Sequence, residues 1–178
     1  TLHRSGTSRT QQVDTTTTGL DLFGSDRGIV AMRMDGSVVD LQRELHGGAD
    51  VEPIEATSED GLNIIRHSAT HVMAQAVQQL YPEVNLGIGP FITDGFYYDF
   101  GNIEPVTPEV LIELEKRMKR IVKENQRFVR RVTTEESARK ELSDQPYKLE
   151  LIGTKGKGAE GASVEVGGGE LTIYDNVR

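Results

Sequence analysis

Residues 62–80 read LNIIRHSATHVMAQAVQQL, and they are the most informative stretch of the chain for its fold. Apolar side chains recur there every three or four residues, the spacing that puts them on one face of a helix. These positions are Ile64, Ile65, Val72, Met73, Ala76, Val77 and Leu80. The polar residues 57–61 favour a helix start, and Pro82 is expected to end it. The pattern therefore predicts one long amphipathic helix.

Two histidines lie within this predicted helix, in the sequence His67-Ser68-Ala69-Thr70-His71. Residues four apart project from the same helix face about one turn from each other. Such a pair can bind a metal jointly, or one imidazole can orient a water while the other moves a proton. Two partly exposed histidines without a joint role explain the spacing equally well. The metalloprotease pattern His-Glu-x-x-His is absent.

A second informative stretch, GIGPFITDGFYYDF, covers residues 87–100. It predicts strands at 86–90 and 95–100 around a turn at 93–95. Its glycines and proline would let a ligand approach the backbone, and adjacent tyrosines on a strand face opposite sides. One tyrosine can therefore lie in the core while its neighbour lines a cleft. An ordinary hairpin is the alternative for these residues taken alone.

Helices and strands are also predicted after residue 106. Thr107 as cap, Pro108 and Glu109 predict the start of a second helix. Its inner face is expected to carry Leu111, Leu114, Met118, Ile121 and Val122. The later predictions are a strand at 128–132, a short helix with a capping box at 133–136, a strand at 147–152, a loop at 153–162, and strands near 164–166 and 171–173.

The N-terminal third predicts short strands around one short helix. A helix is predicted within 15–23, and strands are predicted at 29–34, 38–41 and 51–54. Asp35-Gly36 is a favoured two-residue hairpin turn, and Pro53 is expected at a sheet edge. Residues 1–12 are polar and are expected to be a disordered tail. The arrangement favours a small β-grasp module.

Composition excludes several classes of site. The 178 residues contain no Cys, which excludes a disulfide framework, a thiolate zinc site and a cysteine nucleophile within them. The net charge of −8 argues against a uniformly cationic surface for nucleic acid. No apolar run approaches the roughly 20 residues of a membrane span, and no secretory signal pattern is visible. We expect a cytoplasmic protein without a membrane partner. The sequence does not begin with Met, which is expected of a piece of a longer chain.

The stretch HSATHVMAQAVQQLYPEVNLGIGPFITDGFYYDF at 67–100 is followed by LEKRMKRIVKENQ and PYKLELI. In this order it closely resembles the N-terminal editing domain of bacterial threonyl-tRNA synthetases. The preceding segment resembles their TGS domain, a ubiquitin-like β-grasp module. The resemblance implies an α+β chain with a disordered tail at 1–12, a TGS-like domain at 13–57 and an editing domain at 58–178. In that editing domain the long helix would carry both histidines and pack on antiparallel strands.

The resemblance also implies a function and a set of site residues. Family members attach threonine to tRNA(Thr) with ATP and hydrolyse mischarged seryl-tRNA(Thr) at a second site. That site is needed because one methyl group discriminates by only about 1–3 kcal/mol. The implied catalytic residues are His67, His71 and Lys148, and the implied substrate-binding residues are Tyr98, Gly89, Pro90 and Asp99. For Lys148, a solvated strand lysine is the alternative from the sequence alone.

The sequence departs from the family pattern at its end. The editing site is normally completed by a Cys and a further His in a segment like Asp-x-Cys-Arg-Gly-Pro-His, which is absent here. We expect that segment to follow residue 178, and we expect this chain alone to deacylate poorly and to bind no zinc tightly. ATP and zinc are expected in the catalytic domain, which is outside this chain. The full-length enzyme is expected to be a homodimer and this piece a monomer.

A run of basic residues on the second predicted helix is a candidate contact for tRNA phosphates. The members expected along one face are Lys116, Lys119, Arg120, Lys123 and Arg127. A solvated helix face is the alternative. For the chain as a whole, two other interpretations stay open: a freestanding trans-editing deacylase of the alanyl type, and a non-catalytic module that binds RNA or protein.

Overall fold

The computed structural model describes residues 1–4, 6–153, 164–167 and 170–177. They form two compact units, Thr1–Ile65 and Arg66–Arg178. Both units combine helices with strands, so the predicted α+β class is confirmed. The division between the units falls inside helix α2 (Glu59–Leu80), eight residues beyond the boundary expected at 57/58.

The first unit contains a five-stranded mixed sheet and a short helix. Its elements are β1 (Leu2–Arg4), β2 (Thr7–Arg9), α1 (Gly19–Phe23), β3 (Ile29–Met34), β4 (Ser37–Val39) and β5 (Val51–Glu55). The strand order is β2-β1-β5-β3-β4, with only the β1/β5 pair parallel. Phe23, Met32 and Val51 are among the residues of its buried core. The assignment to the β-grasp fold stays a prediction.

The expected disordered tail at 1–12 instead contains β1 and β2. Leu2 pairs with Val51 of β5, and its side chain packs on the core of the first unit. The amide of Val51 donates to the carbonyl of Thr1 at 2.7 Å. The prediction was wrong because one apolar residue and backbone pairing are enough to order this segment, although its composition is polar.

The β3–β4 hairpin forms as predicted, with positive φ at Asp35 (50°) and Gly36 (81°). Pro53 was expected at a sheet edge, but β5 lies between β1 and β3. The amide of Val51 faces β1, so the nitrogen of Pro53, two residues later, faces the same way. Proline therefore removes no hydrogen bond from the β3–β5 ladder.

The second unit packs helices against short antiparallel strands. It contains most of α2, then β6 (Asn85–Leu86), β7 (Phe91–Ile92), β8 (Gly95–Phe96), β9 (Phe100–Gly101), α3 (Pro108–Lys123), β10 (Arg127–Thr133), α4 (Glu135–Glu141), α5 (Pro146–Gly153), β11 (Val164–Gly167) and β12 (Glu170–Val177). The predicted hairpin at 86–100 is present as the pairs β6/β9 and β7/β8. A separate sheet has the order β10-β12-β11. The side chain of Thr107 caps α3 as predicted.

Residues 147–152 were predicted to be a strand and are helix α5. Their apolar alternation was misleading, because burial follows helical spacing: Lys148 and Ile152, four apart, are both buried, while Tyr147 is 46% exposed. Pro146 occupies the first helical position, where its missing N–H has no cost. The predicted loop at 153–162 lies outside the described residues except for Gly153.

The predicted inner face of α3 is only partly correct. Leu114 and Ile121 are buried and Met118 packs on the core, but Leu111 and Val122 are 58% and 66% exposed. They were misassigned because the apolar residues of α3 extend beyond the stripe that meets the core. Among the described helices, none is both long enough and apolar enough to span a membrane.

Candidate functional site

The side chains of His67 and His71 contact each other on α2. Their Nε2 atoms are 3.0 Å apart, so one imidazole donates a hydrogen bond to the other. One turn of α2 brings the rings together, and the buried Thr70 hydroxyl donates to the His67 carbonyl at 2.7 Å. The pair therefore acts as one hydrogen-bonded unit.

Two phenylalanines that the sequence did not single out flank this histidine pair. The Phe91 ring lies 6.5 Å from His67 and the Phe128 ring lies 5.8 Å from His71, measured between centroids. Phe91 comes from the β7–β8 hairpin and Phe128 from β10. Phe128 is followed by Val129, so no regular alternation along this strand indicated its inward position.

His71 is held neutral by its surroundings. Burial lowers the pKa of His71 to about 3, with smaller contributions from the charges of His67 and Lys148. Because an imidazolium would lose its hydration there, the ring stays neutral across the physiological range. His71 is therefore a poor proton acceptor at neutral pH and a good hydrogen-bonding partner for His67.

Lys148 is buried on α5, with 4% of its surface exposed. Burial lowers the pKa of Lys148 to about 8, while the negative charge of Asp144 opposes that shift. Its charge also contributes to the low pKa of His71, so the two groups lie within electrostatic reach of each other. The alternative of a solvated strand lysine is wrong. The structure instead brings a buried cation near the histidine pair.

Gly89 and Tyr98 pack directly on each other across the hairpin. A Cβ built on Gly89 would lie 2.2 Å from Cδ2 of Tyr98, and the Tyr98 ring stacks on Phe100 at 4.8 Å. Burial raises the pKa of Tyr98 to about 12. Its hydroxyl oxygen is buried, and within the described part of the chain it has no hydrogen-bond partner. That hydroxyl is available to a polar group of a ligand.

Pro90 and Asp99 contribute backbone rather than side-chain contacts. The Pro90 carbonyl accepts from the Tyr97 amide at 3.3 Å, and Asp99 exchanges backbone hydrogen bonds with Ile88 and Gly87, each at 2.9 Å. The Asp99 side chain is exposed. These contacts fix the hairpin that carries Gly89 and Tyr98, and the substrate-binding role of Pro90 and Asp99 stays a prediction.

The basic residues proposed for tRNA are all exposed. Lys116, Lys119, Arg120 and Lys123 lie on α3, and Arg127 begins β10 instead. Lys119 forms an ion pair with Glu115 at 2.6 Å. The four helical cations lie opposite the buried Leu114 and Ile121. We refer to these four residues as the α3 basic stripe.

Metal ligands are scarce around the histidine pair. Within the ranges that the structure describes, no three His, Cys, Asp or Glu side chains are grouped closely enough to hold a metal ion. Two imidazoles supply half of a tetrahedral zinc site.

The chain was compared with known proteins, and no protein-family model matches it. Over its whole length it is 94% identical to the threonine–tRNA ligase of Cutibacterium acnes, of which it covers 26%. It is 59% identical over 93% of its length to that of Streptomyces avermitilis, covering 25% of it. For Pseudarthrobacter chlorophenolicus the identity is 56% over 94% of the chain, again covering 25% of the relative. The chain thus spans about a quarter of these relatives.

Proposed function

Since the chain belongs to the threonine–tRNA ligase family and corresponds to the N-terminal region of its members, we propose that residues 58–178 belong to a proofreading module that hydrolyses seryl-tRNA(Thr). The whole protein would attach threonine to tRNA(Thr), using ATP and zinc in a catalytic region outside this chain. The matches to ligases favour this interpretation over a freestanding deacylase.

The observation that carries the proposal is the hydrogen-bonded pair His67–His71 within electrostatic reach of the buried Lys148. Hydrolysis of an aminoacyl ester needs a positioned water, a group that takes its proton, and a positive charge or donor near the developing oxyanion. The imidazoles of His67 and His71 can meet the first two needs. The Lys148 ammonium, in a site that excludes most water, can meet the third.

The two histidines are not equivalent in this scheme. The low pKa of His71 makes that ring a weak base, so we assign it the role of orienting His67 through the 3.0 Å hydrogen bond. His67 then faces the water and the ester. Lys148 stabilises negative charge on the carbonyl oxygen as the water adds.

The hairpin would hold the aminoacyl group. The absence of a side chain at Gly89 leaves the Tyr98 ring in place, and the buried Tyr98 hydroxyl can pair with a polar group of the substrate. Pro90 and Asp99 would bound the same pocket. Serine and threonine share the side-chain hydroxyl, so a hydrogen bond to it would hold either residue, and exclusion of threonine would depend on the space left for its methyl group.

The remaining parts of the proposal concern partners. We assign 13–57 to a TGS-like β-grasp domain, and the α3 basic stripe with Arg127 to contacts with tRNA phosphates. The full-length protein would be a cytoplasmic homodimer. These assignments rest on family membership and on the exposure of the basic side chains.

The test is deacylation of seryl-tRNA(Thr) by this chain and by the full-length ligase that contains it. We expect hydrolysis by the full-length enzyme, and a loss of at least tenfold in His67→Ala and His71→Ala. His46→Ala is the matched control, because His46 is exposed and pairs with Asp35 in the first unit. No hydrolysis by either form would indicate a binding module and would refute the catalytic role of the histidines.

A further inference from the structure

We propose that Gln145 is a positioning residue that holds the N-terminus of α5, and thereby Lys148, against the hairpin of the candidate site. The structural part of this inference stands on hydrogen bonds alone. Its catalytic meaning rests on the function proposed above.

The side chain of Gln145 pairs with β6 as a neighbouring strand would. The Leu86 amide donates to Gln145 Oε1 at 2.8 Å, and Gln145 Nε2 donates to the Val84 carbonyl at 3.4 Å. Amide and carbonyl groups two residues apart on one strand face the same side, so a single carboxamide can satisfy both. Val84 and Leu86 are both buried, with 1% and 5% of their surfaces exposed, so these backbone groups need partners.

The other edge of β6 is already occupied. Leu86 pairs with Phe100 of β9, and the Gly87 amide donates to the Asp99 carbonyl at 2.9 Å, which turns the Leu86 amide away from β9. Gln145 therefore closes the outer edge of the strand pair β6/β9. Gly89 lies just after β6 and Tyr98 lies just before β9, so both candidate site residues are close in sequence to this strand pair.

The backbone of the same residue begins α5. The Gln145 carbonyl accepts from the amides of Lys148 and Leu149, at 3.0 and 3.1 Å. Gln145 is thus bound to β6 through its side chain and to the first turn of α5 through its main chain. Because Lys148 lies in that turn, the hydrogen bonds of Gln145 help to set its distance from the hairpin.

A second contact supports the same docking. The Tyr147 ring lies over Gly101 of β9, where an added Cβ would be 2.8 Å from the ring. Tyr147 is 46% exposed, so it covers the outside of the junction, while Gln145 supplies the directional bonds. Loss of the Gln145 bonds should leave α5 folded but less closely fixed.

The experiment uses Gln145→Met, which keeps the size of the side chain and removes both bonds. Gln145→Asn is a second variant, since it keeps the amide but is one methylene too short to reach β6. Gln78→Met, at an exposed position on α2, is the matched control. Three quantities are measured: hydrogen exchange at the Leu86 amide, the pKa of Lys148 by NMR, and the kcat and KM of deacylation in the full-length ligase.

In both Gln145 variants we expect Leu86 exchange to accelerate at least tenfold, because the amide loses its acceptor. The pKa of Lys148 should move from about 8 towards 10.5 as the ammonium gains solvent. We expect kcat to fall about tenfold with less than a twofold change in KM. The control should leave all three unchanged.

The possible failures are distinguishable. Faster Leu86 exchange with an unchanged Lys148 pKa and kcat would reduce Gln145 to a structural role and overturn the inference. A shifted Lys148 pKa in the Gln145 variants, with no ester hydrolysis by the wild-type protein, would support the positioning and refute the proposed function instead. Unchanged Leu86 exchange in Gln145→Asn would contradict the hydrogen bond itself.

Discussion

The backbone of Gly89 lies against the ring of Tyr98, so that a Cβ at position 89 would be 2.2 Å from Cδ2 of that ring. Gly89 is buried, and the ring of Tyr98 stacks on that of Phe100 at 4.8 Å. The ring therefore cannot move away without losing this stacking. In this hairpin, the position of the tyrosine depends on the absence of a side chain opposite it.

We predict that Gly89→Ala reduces seryl-tRNA(Thr) deacylation by the full-length ligase at least tenfold. It should also lower the free energy of unfolding of this chain by about 1–3 kcal/mol, the usual cost of overpacking. Gly95→Ala is the control, because an added Cβ there meets nothing within 4 Å. Equal activity of the two variants would show that the Tyr98 position does not matter for hydrolysis.

Tyr98→Phe separates stability from activity. The Tyr98 hydroxyl is buried, and the described part of the chain offers it no hydrogen-bond partner. Its removal should leave the free energy of unfolding unchanged or raise it by about 1 kcal/mol, while deacylation falls. Urea unfolding and deacylation assays measure the two effects, with the 47% exposed Tyr97→Phe as control. A clear loss of stability would mean that the hydroxyl is already satisfied.

Local signals were enough to predict several elements of the fold. Strand 29–34 and the turn Asp35-Gly36 are encoded by β-branched residues and by a dipeptide that accepts positive φ. The start of α3 is encoded by Thr107 and Pro108. In each case the determining interactions lie within a few residues, so the sequence alone could specify them.

Other features depend on contacts between distant residues. Alternation at 147–152 predicted a strand, but the buried positions are set by packing of Ile152 on Ala138 and Ile173. The His67–His71 contact follows from helical spacing, whereas the burial of Lys148 and its link to β6 through Gln145 do not. The order at Leu2 likewise depends on β5, about fifty residues away.

Lys148→Met should stabilise the protein while abolishing deacylation. Burial lowers the pKa of Lys148 from 10.5 to about 8, so the unfolded chain binds this proton more tightly between those values. Burial of the charged ammonium therefore lowers the free energy of unfolding by its full amount below about pH 8. This destabilisation disappears as the pH rises to 10.5. Since one pKa unit corresponds to about 1.4 kcal/mol and the pKa is lowered from 10.5 to about 8, we expect Lys148→Met to raise the free energy of unfolding at pH 7 by about 3 kcal/mol.

Urea unfolding of the chain at pH 7 measures this effect. Lys140→Met is the matched control, because Lys140 is exposed on α4 and has no burial cost to remove. A Lys148→Met variant less stable than wild type would mean that the ammonium makes interactions worth more than its desolvation.

The α3 basic stripe can be tested through the salt dependence of tRNA binding. We predict that the double variant Lys116→Ala/Lys123→Ala in the full-length ligase weakens binding and lowers the slope of log affinity against log salt. The slope should decrease by about one for each phosphate that the variant no longer neutralises. Lys140→Ala, which removes a cation from α4, should leave the slope unchanged. An unchanged slope in the double variant would leave the stripe as a solvated helix face.

The low pKa of His71 predicts how stability depends on pH. The folded-state value of about 3 lies below the ordinary value of 6.5, so the unfolded chain binds a proton in this window and the folded chain does not. The contribution of neutral His71 to the free energy of unfolding is therefore complete above pH 6.5, and it is lost as the pH falls towards 3. At pH 4.5, two units below 6.5, the loss should be about 3 kcal/mol. His71→Gln should remove this part of the decrease.

Urea unfolding at pH 7.0 and pH 4.5 measures the effect. His46→Gln is an informative control because the Gly47 carbonyl, followed by Asp35, raises the pKa of His46. A raised pKa has the opposite effect on the pH dependence of stability. Protonated His46 stabilises the fold below pH 6.5, and this stabilisation is lost as the pH rises through the folded-state pKa of His46. Wild type should lose stability between pH 7.0 and pH 4.5. His71→Gln should lose less than wild type, whereas His46→Gln should lose at least as much. If His71→Gln loses as much stability as wild type between the two pH values, the fold does not lower the pKa of His71, and the argument that its burial makes it a weak base is wrong.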